Sequence, residues 1–399
     1  VITKRDQSIK AGEFSGIRNL KNPTEQPLGS LSACLNFDHT DSKGLERRDG
    51  YTLADGLMAA TDAYSPVIAE GLYLVDTGSM VSYSDALVPA AVTSGLTDTA
   101  FSWAEMDNRV FYAGATDAGV ILNRSTWIPL RVPVPDSVTV TAIAGTLPAA
   151  DYQVSATYVH SASGVAGGAT HATYTLASAG GLSVTVPAVA GYVVDVYVSQ
   201  PHGEAAYFVG TDATTVEITA PGAFAQPMAP EQRDGLPLPT GINALAVYAG
   251  RLYAATYDVD NDVSLVQWSG VWFPHLWALH RDVFAVQGLV LALYGTPAGL
   301  LIGTSDRVFL FNGETLQTLA QFGVVPGRSI AADRSGRVAV WTNRGVCVFG
   351  GDPLLRALQV DKVAVAPGTA CHAALVERRG REQFLVTTDG GGAPWSAWP

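Results

Sequence analysis

Apolar residues along this chain come in short runs, each followed by a tight turn and a second short run. Gly71-Leu72-Tyr73-Leu74-Val75 leads into Met80-Val81-Ser82-Tyr83, and Arg109-Val110-Phe111-Tyr112-Ala113 into Gly119-Val120-Ile121-Leu122-Asn123. The unit returns as Gly250-Arg251-Leu252-Tyr253-Ala254-Ala255 into Val263-Ser264-Leu265-Val266-Gln267-Trp268, and as Gly299-Leu300-Leu301-Ile302-Gly303-Thr304 into Arg307-Val308-Phe309-Leu310-Phe311. Gly336-Arg337-Val338-Ala339-Val340-Trp341 into Gly345-Val346-Cys347-Val348-Phe349, and His372-Ala373-Ala374-Leu375-Val376 into Gln383-Phe384-Leu385-Val386-Thr387, complete the set. Outside one gap the units recur at roughly 35–50 residues, the spacing of four-stranded blades. Each blade needs neighbours to cover its faces, so the pattern predicts an all-β chain folded as a β-propeller of about six blades.

The gap carries a different pattern. Tyr152-Gln153-Val154-Ser155-Ala156-Thr157-Tyr158, Ala172-Thr173-Tyr174-Thr175-Leu176, Leu182-Ser183-Val184-Thr185-Val186 and Val193-Val194-Asp195-Val196-Tyr197-Val198 alternate as half-buried strands do. Tyr207-Phe208-Val209 and Thr215-Val216-Glu217-Ile218 extend the set, and Gly164-Val165-Ala166-Gly167-Gly168 reads as a turn. Prolines mark both crossings, Pro133 and Pro135 before and Pro221, Pro227, Pro230, Pro237 and Pro239 after. The reading is an extended N-terminal arm over residues 1–50, a first propeller part over 51–128, an inserted fibronectin type III-like β-sandwich over 129–235, and a second propeller part over 236–399.

A chain of 399 residues with 48% hydrophobic positions can fill such a core. Its net charge of −12 argues against tight binding of nucleic acid, which requires clustered cations. Cys34, Cys347 and Cys371 lack metal-ligand spacing and read as free buried thiols of a protein assembled in a reducing cytoplasm. Val1-Ile2-Thr3-Lys4-Arg5-Asp6 has no signal-peptide core. Val283 to Ser305 is long and uncharged enough to suggest a membrane span, but Gly295-Thr296-Pro297-Ala298-Gly299 interrupts it and its halves read as two buried strands, so no membrane insertion is expected.

Candidate chemistry is sparse. Asp258, Asp260 and Asp262 alternate in one loop and could face a Ca²⁺, yet the glycine and the distal glutamate of a calcium loop are missing, and a solvated acidic turn is the plainer reading. His275 and His280 flank Trp277 without a third zinc ligand. Thr387-Thr388-Asp389-Gly390-Gly391-Gly392-Ala393-Pro394-Trp395 resembles a single Asp-box turn of sialidases, with its tryptophan one place late. With no carboxylate pair, activated nucleophile or phosphate loop at usable spacing, the chain reads as a non-enzyme without a cofactor.

The N-terminal text is more specific. Phe14-Ser15-Gly16-Ile17-Arg18-Asn19, Pro23, Leu31-Ser32-Ala33-Cys34-Leu35-Asn36-Phe37-Asp38 and Gly44-Leu45-Glu46-Arg47-Arg48-Asp49-Gly50-Tyr51 resemble the opening of a family of tailed-phage virion proteins, and Val196-Tyr197-Val198-Ser199-Gln200-Pro201-His202-Gly203 resembles the end of its sandwich. The match departs at Asp49, where a proline is common, and in its sparse lysines. The resemblance is to the nozzle, or tail tubular protein, of short-tailed phages. It implies a virion tail protein assembled in the host cytoplasm as a homo-oligomeric, hexameric ring. Portal, adaptor and other tail proteins would adjoin that ring, and genomic DNA would pass its lumen without tight binding. Arg47 and Arg48 are candidates for pairing with a neighbouring subunit or adaptor carboxylate. The alternatives are a receptor-binding or fibre-network adhesin and a propeller glycosidase.

Overall fold

The structure is a computed structural model that describes residues 16–17, 30–31, 37–39, 45–47, 60–66, 71–84, 86, 88–222, 226–332, 337–350, 352–358, 367–378, 381–389 and 395–396. The chain divides into two compact units, residues 58–295 and residues 1–57 with 296–399. Both are built mainly from antiparallel sheets, and the only helix among the described residues is Pro230–Arg233. The architecture is all-β and compatible with a β-propeller.

In the 58–295 unit, Asp62–Tyr64, Leu72–Asp76, Ser79–Tyr83 and Pro89–Ser94 form an up-and-down sheet. Ser102–Met106, Arg109–Ala113, Ala118–Ile121 and Trp127–Pro129 form the next. A third runs Ile242–Tyr248, Arg251–Asp258 and Val263–Gly270, whose last strand pairs at one end with Phe273–Trp277 and at the other with Val283–Gln287. Successive residues of a strand face opposite sides, and in the 102–129 sheet both sides are apolar. Val110, Tyr112 and Ile121 join Tyr73, Val75 and Met80 of the sheet before. Phe111, Ala113 and Val120 join Leu245, Leu252, Ala254 and Trp277 of the sheet after. The apolar run Val110 to Ala113 thus reflects burial on two faces, and the sheets flanking the 129–235 segment pack directly on each other.

The segment between them is a two-sheet sandwich. Thr139–Leu147, Gly180–Thr185 and Thr215–Ile218 make one sheet; Ala166–Leu176, Ala150–His160, Tyr192–Ser199 and Ala206–Asp212 make the other. Leu147, Leu182, Val184, Val216 and Ile218 from the first meet Tyr152, Val154, Ala156, Tyr158, Val194, Val196 and Val198 from the second in one core. Two details differ from the sequence reading. Thr139–Leu147 is a strand that its small residues and largely exposed positions had hidden. Gly167 and Gly168 belong to a strand beginning at Ala166 rather than to a turn, because a Cβ there would lie 2.8 Å from the Pro133 carbonyl oxygen and 1.7 Å from that of Gly235.

In the unit of residues 1–57 and 296–399, Gly299–Thr304 pairs with Val308–Phe311 and that with Leu316–Ala320. Ile330–Ala332, Val338–Thr342, Gly345–Gly350 and Asp352–Ala357 form another meander. Cys371–Arg378, Arg381–Thr388 and Trp395–Ser396 form a third, with Gly327–Arg328 added in parallel. Phe37–His39 pairs with Leu45–Arg47, and Gly16–Ile17 lies parallel to Ser30–Leu31. The long uncharged stretch is Val283–Gln287, Val290–Thr296 and Gly299–Thr304, three strands where two were expected. No helix among the described residues is long and apolar enough to cross a membrane.

Candidate functional site

The insert's attachment is built around Arg131. Its guanidinium donates to the carbonyls of Leu238 at 3.1 Å and Pro239 at 2.8 Å, and to that of Thr116, so the residue entering the insert binds residues leaving it. Burial alone would lower the charged form's stability, and Asp98 and Asp117 oppose that. Those carboxylates are themselves held by reciprocal turn bonds. Asp117 accepts from the Thr97 and Asp98 amides at 2.6 and 2.8 Å, and Asp98 from the Thr116 and Asp117 amides, each at 2.7 Å.

From the sandwich the chain returns as a strap. Phe208 donates to Gln226 at 2.8 Å and Met228 to Ala206 at 3.0 Å, which lays residues 226–228 along the sheet edge. The Pro230–Arg233 turn then reaches the other edge, where His171 Nε2 donates to the Arg233 carbonyl at 2.8 Å. On the other side of the ring, Nδ1 lies 2.7 Å from Ser155 Oγ. A serine and histidine at this distance have the outline of a nucleophile and base, but Ser155 is only 3% exposed, and the strap's carbonyl occupies the far nitrogen. The pair is a clasp. Leu236 then pairs with Trp277 through bonds of 2.8 and 2.9 Å. Beneath it, burial depresses the His275 imidazole to about 4, opposed by the Ala166 backbone.

The far end of the sandwich is open. A cavity of about 230 Å³ lies there, between Leu147, Pro148, Tyr152, Val198, Val209 and Ile218, with Ser199, Pro201, Pro221 and Gly222 at its margin. Its few polar groups are already used: Tyr152 Oη donates to the Pro148 carbonyl at 2.9 Å, and Ser199 Oγ to Gln200 at 2.9 Å while accepting from Gln153 at 3.0 Å. What it offers a visitor is carbon.

Charge sets the insert apart. Between Arg131 and Arg233 there is no lysine or arginine, while Asp136, Asp151, Asp195, Glu204, Asp212, Glu217 and Glu231 all lie there. This was in the sequence, but it acquires meaning only once the sandwich's limits are known.

The residues singled out from sequence are scattered. Asp258 accepts from the Asp260 and Asn261 amides at 3.1 and 3.3 Å and from Asn261 Nδ2 at 2.7 Å, and the Asn261 bonds hold its carboxyl below the usual range. Asp262 accepts from Tyr257 Oη at 2.7 Å and from Gln287 at 3.2 Å. The Asp258 carboxylate is thus engaged within its own loop and that of Asp262 with Tyr257 and Gln287, and no group of three or more possible ligands among the described residues could hold a metal. Asp389 accepts from the amides of Thr369 at 2.8 Å and Ala370 at 2.5 Å, tying the end of Arg381–Thr388 to the segment that leads into Cys371–Arg378. His280 is exposed. Burial raises the Cys347 thiol to about 11 and Cys371 to about 12, as inert core thiols. The Arg47 side chain, Arg48 and Cys34 lie outside the described residues.

No protein-family model and no curated protein matches this sequence. Among solved structures, the extracellular domain of a one component system from B. thetaiotaomicron is 12% identical over 87% of this chain and 39% of its own, with a TM-score of 0.33. Porphyromonas gingivalis dipeptidyl peptidase 4 is 11% identical over 83% of this chain and 49% of its own, at 0.29. The fission yeast SREBP-SCAP binding domains are 9% identical over 88% and 92%, at 0.30. The chain spans about two fifths of the length of the first of these, and superpositions this loose do not define a shared fold.

Proposed function

We infer that this chain is a structural protein of a bacteriophage tail, a nozzle subunit whose homo-oligomeric ring DNA crosses during ejection. The observation that carries the reading is the lysine- and arginine-free sandwich on a chain of net charge −12. Phosphates are retained by cations, and a surface that supplies none lets duplex slide. The stacked sheets on either side of the insert support a propeller of six blades. The seven strands in two sheets support a fibronectin type III-like module inserted between consecutive blades. In this reading no catalytic residue or cofactor is required; the ring is a hexamer meeting portal and adaptor, with Arg47 and Arg48 pairing across a subunit boundary.

Particle imaging tests it: a ring of this chain at the tail end is the expected result, and isolated copies on a fibre tip or capsid face overturn it. Duplex binding by the purified protein should be feeble at physiological salt. Tight, salt-sensitive binding removes the passive-conduit part.

The adhesin alternative draws on the apolar cavity at the sandwich's free end. A glycan reader needs exposed rings, whereas Tyr152, Tyr158 and Tyr197 are 1%, 3% and 5% exposed and Tyr174, Tyr192, Tyr207 and Phe208 are half-buried.

A further inference from the structure

The hairpin joining Val263–Gly270 to Phe273–Trp277 turns through Val271 and Trp272, and Trp272 is 66% exposed with φ of 64°. That conformation favours glycine, and it is held here by a large aromatic residue that leaves most of its surface in water. Val271 beside it is 38% exposed. The knob therefore presents an anchor of the kind that dominates protein interfaces.

The same molecule carries a socket. The cavity at the sandwich's free end holds about 230 Å³ of apolar space, room for an indole, and its polar groups are satisfied without a guest. Knob and socket cannot meet within one copy. The hairpin strand Phe273–Trp277 lies beside the start of Ala166–Leu176, through Ala166 and His275, whereas the cavity lies beyond its other end, near Leu147 and Tyr152. The strand between them has 11 residues, roughly 35 Å of extended chain.

Charge is graded in the same sense. Asp151 adjoins Tyr152 of the socket and Glu204 follows Pro201 at its margin by three residues, on a module without lysine or arginine. Arg233, Arg251 and Arg281 on the hairpin's side stand among Glu231, Asp234 and Asp282, a balanced set against the acidic one at the socket, and the Arg281 side chain is 68% exposed.

We propose that Trp272 of one copy seats in the sandwich-end cavity of the next, making a head-to-tail contact between copies of this chain. Two different patches in contact generate a ring if the rotation closes and a filament if it does not. The contact deepens the ring reading and rests on it only for closure.

Disulfide trapping of the full chain tests the contact. In a Cys34→Ser background, Val271→Cys with Glu204→Cys, under mild oxidation, should give a ladder of dimers, trimers and higher species, while neither single cysteine variant does. Adding Trp272→Gly, which suits the backbone there, should cut the ladder at least tenfold with no loss of melting temperature. Gly222→Leu should do the same by filling the socket, since a Cβ at 222 meets only Val209 at 3.7 Å. A ladder that survives Trp272→Gly overturns the proposal. So do dimers from Val271→Cys alone, an internally cross-linked monomer, or no ladder from a chain whose socket still takes up an alkyl detergent. An open ladder keeps the contact and removes the ring, whereas a ring in particles without any ladder removes the contact alone.

Discussion

The inserted sandwich and the sheets that carry it solve the burial problem in opposite ways. In the 102–129 sheet the strands are short, and Arg109–Ala113 is buried at every position after its first residue, because sheets lie against both faces. In the sandwich the strands run to 11 residues and Ala166–Leu176 alternates towards its end, because there one face meets a core and the other meets water, while nearer the strap the outer face is covered too, at Ser155 and Thr157. A stacked sheet borrows its core from its neighbours, while the sandwich owns one. Damage should therefore spread among stacked sheets and remain local in the insert.

The largest test of that contrast is Phe111→Ala. Phe111 is 0% exposed between two sheets, and its removal should cost about 3–5 kcal/mol. Calorimetry should show the transition of the flanking sheets falling while that of the sandwich holds. Leu182→Ala, also at 0% exposure, should cost about 3 kcal/mol and reverse the order of the transitions. A single shared transition in both variants breaks the comparison.

Arg131→Met tests the joint. It leaves the Leu238, Pro239 and Thr116 carbonyls without their donor, at about 2 kcal/mol, and should raise hydrogen exchange at residues 131–135 and 236–241 more than within either core.

Acid sharpens the picture further. His275 is depressed to about 4 from 6.5 by burial, so between those values the unfolded chain binds the extra proton. Its contribution, about 3 kcal/mol, is present above pH 6.5 and lost as pH falls towards 4. Asp117, held below the usual range mainly by the Asp98 and Thr97 bonds against its own burial, loses its contribution only at lower pH, as it protonates. His275→Gln should remove the upper phase in pH-dependent melting and leave the lower one.

The smallest effect concerns a turn. Ala249 sits at φ of 48°, and Ala249→Gly should change stability by only about 0.5 kcal/mol in the favourable direction, strain relief exceeding the greater freedom of unfolded glycine. A clear loss in chemical denaturation removes that account.

The same contrast explains what could be read before the fold was known. Runs such as Val338–Thr342, buried throughout, announce themselves, and the alternation of Tyr152 to Tyr158 marks a strand just as plainly. Thr139–Leu147 was hidden because its outward positions are Thr and Ala, which carry little signal. Gly167 and Gly168 misled because glycine for close backbone approach spells the same as glycine for a turn. The Asp258 loop was legible as acidic, but whether its carboxylates converge depends on hydrogen bonds to Asn261, Tyr257 and Gln287. The socket was illegible, since it is the gap left between proline-bearing loops distant in sequence.

The insert's lack of cations also governs how the protein responds to proteases. Trypsin cuts after lysine and arginine, so residues 132–233 form one peptide even in the unfolded chain, far too large for routine sequencing by mass spectrometry. Tryptic surveys will detect this protein by its sheets and pass over the sandwich; an enzyme cutting at acidic residues, with sites at Asp151, Asp195 and Glu217, is needed to map it.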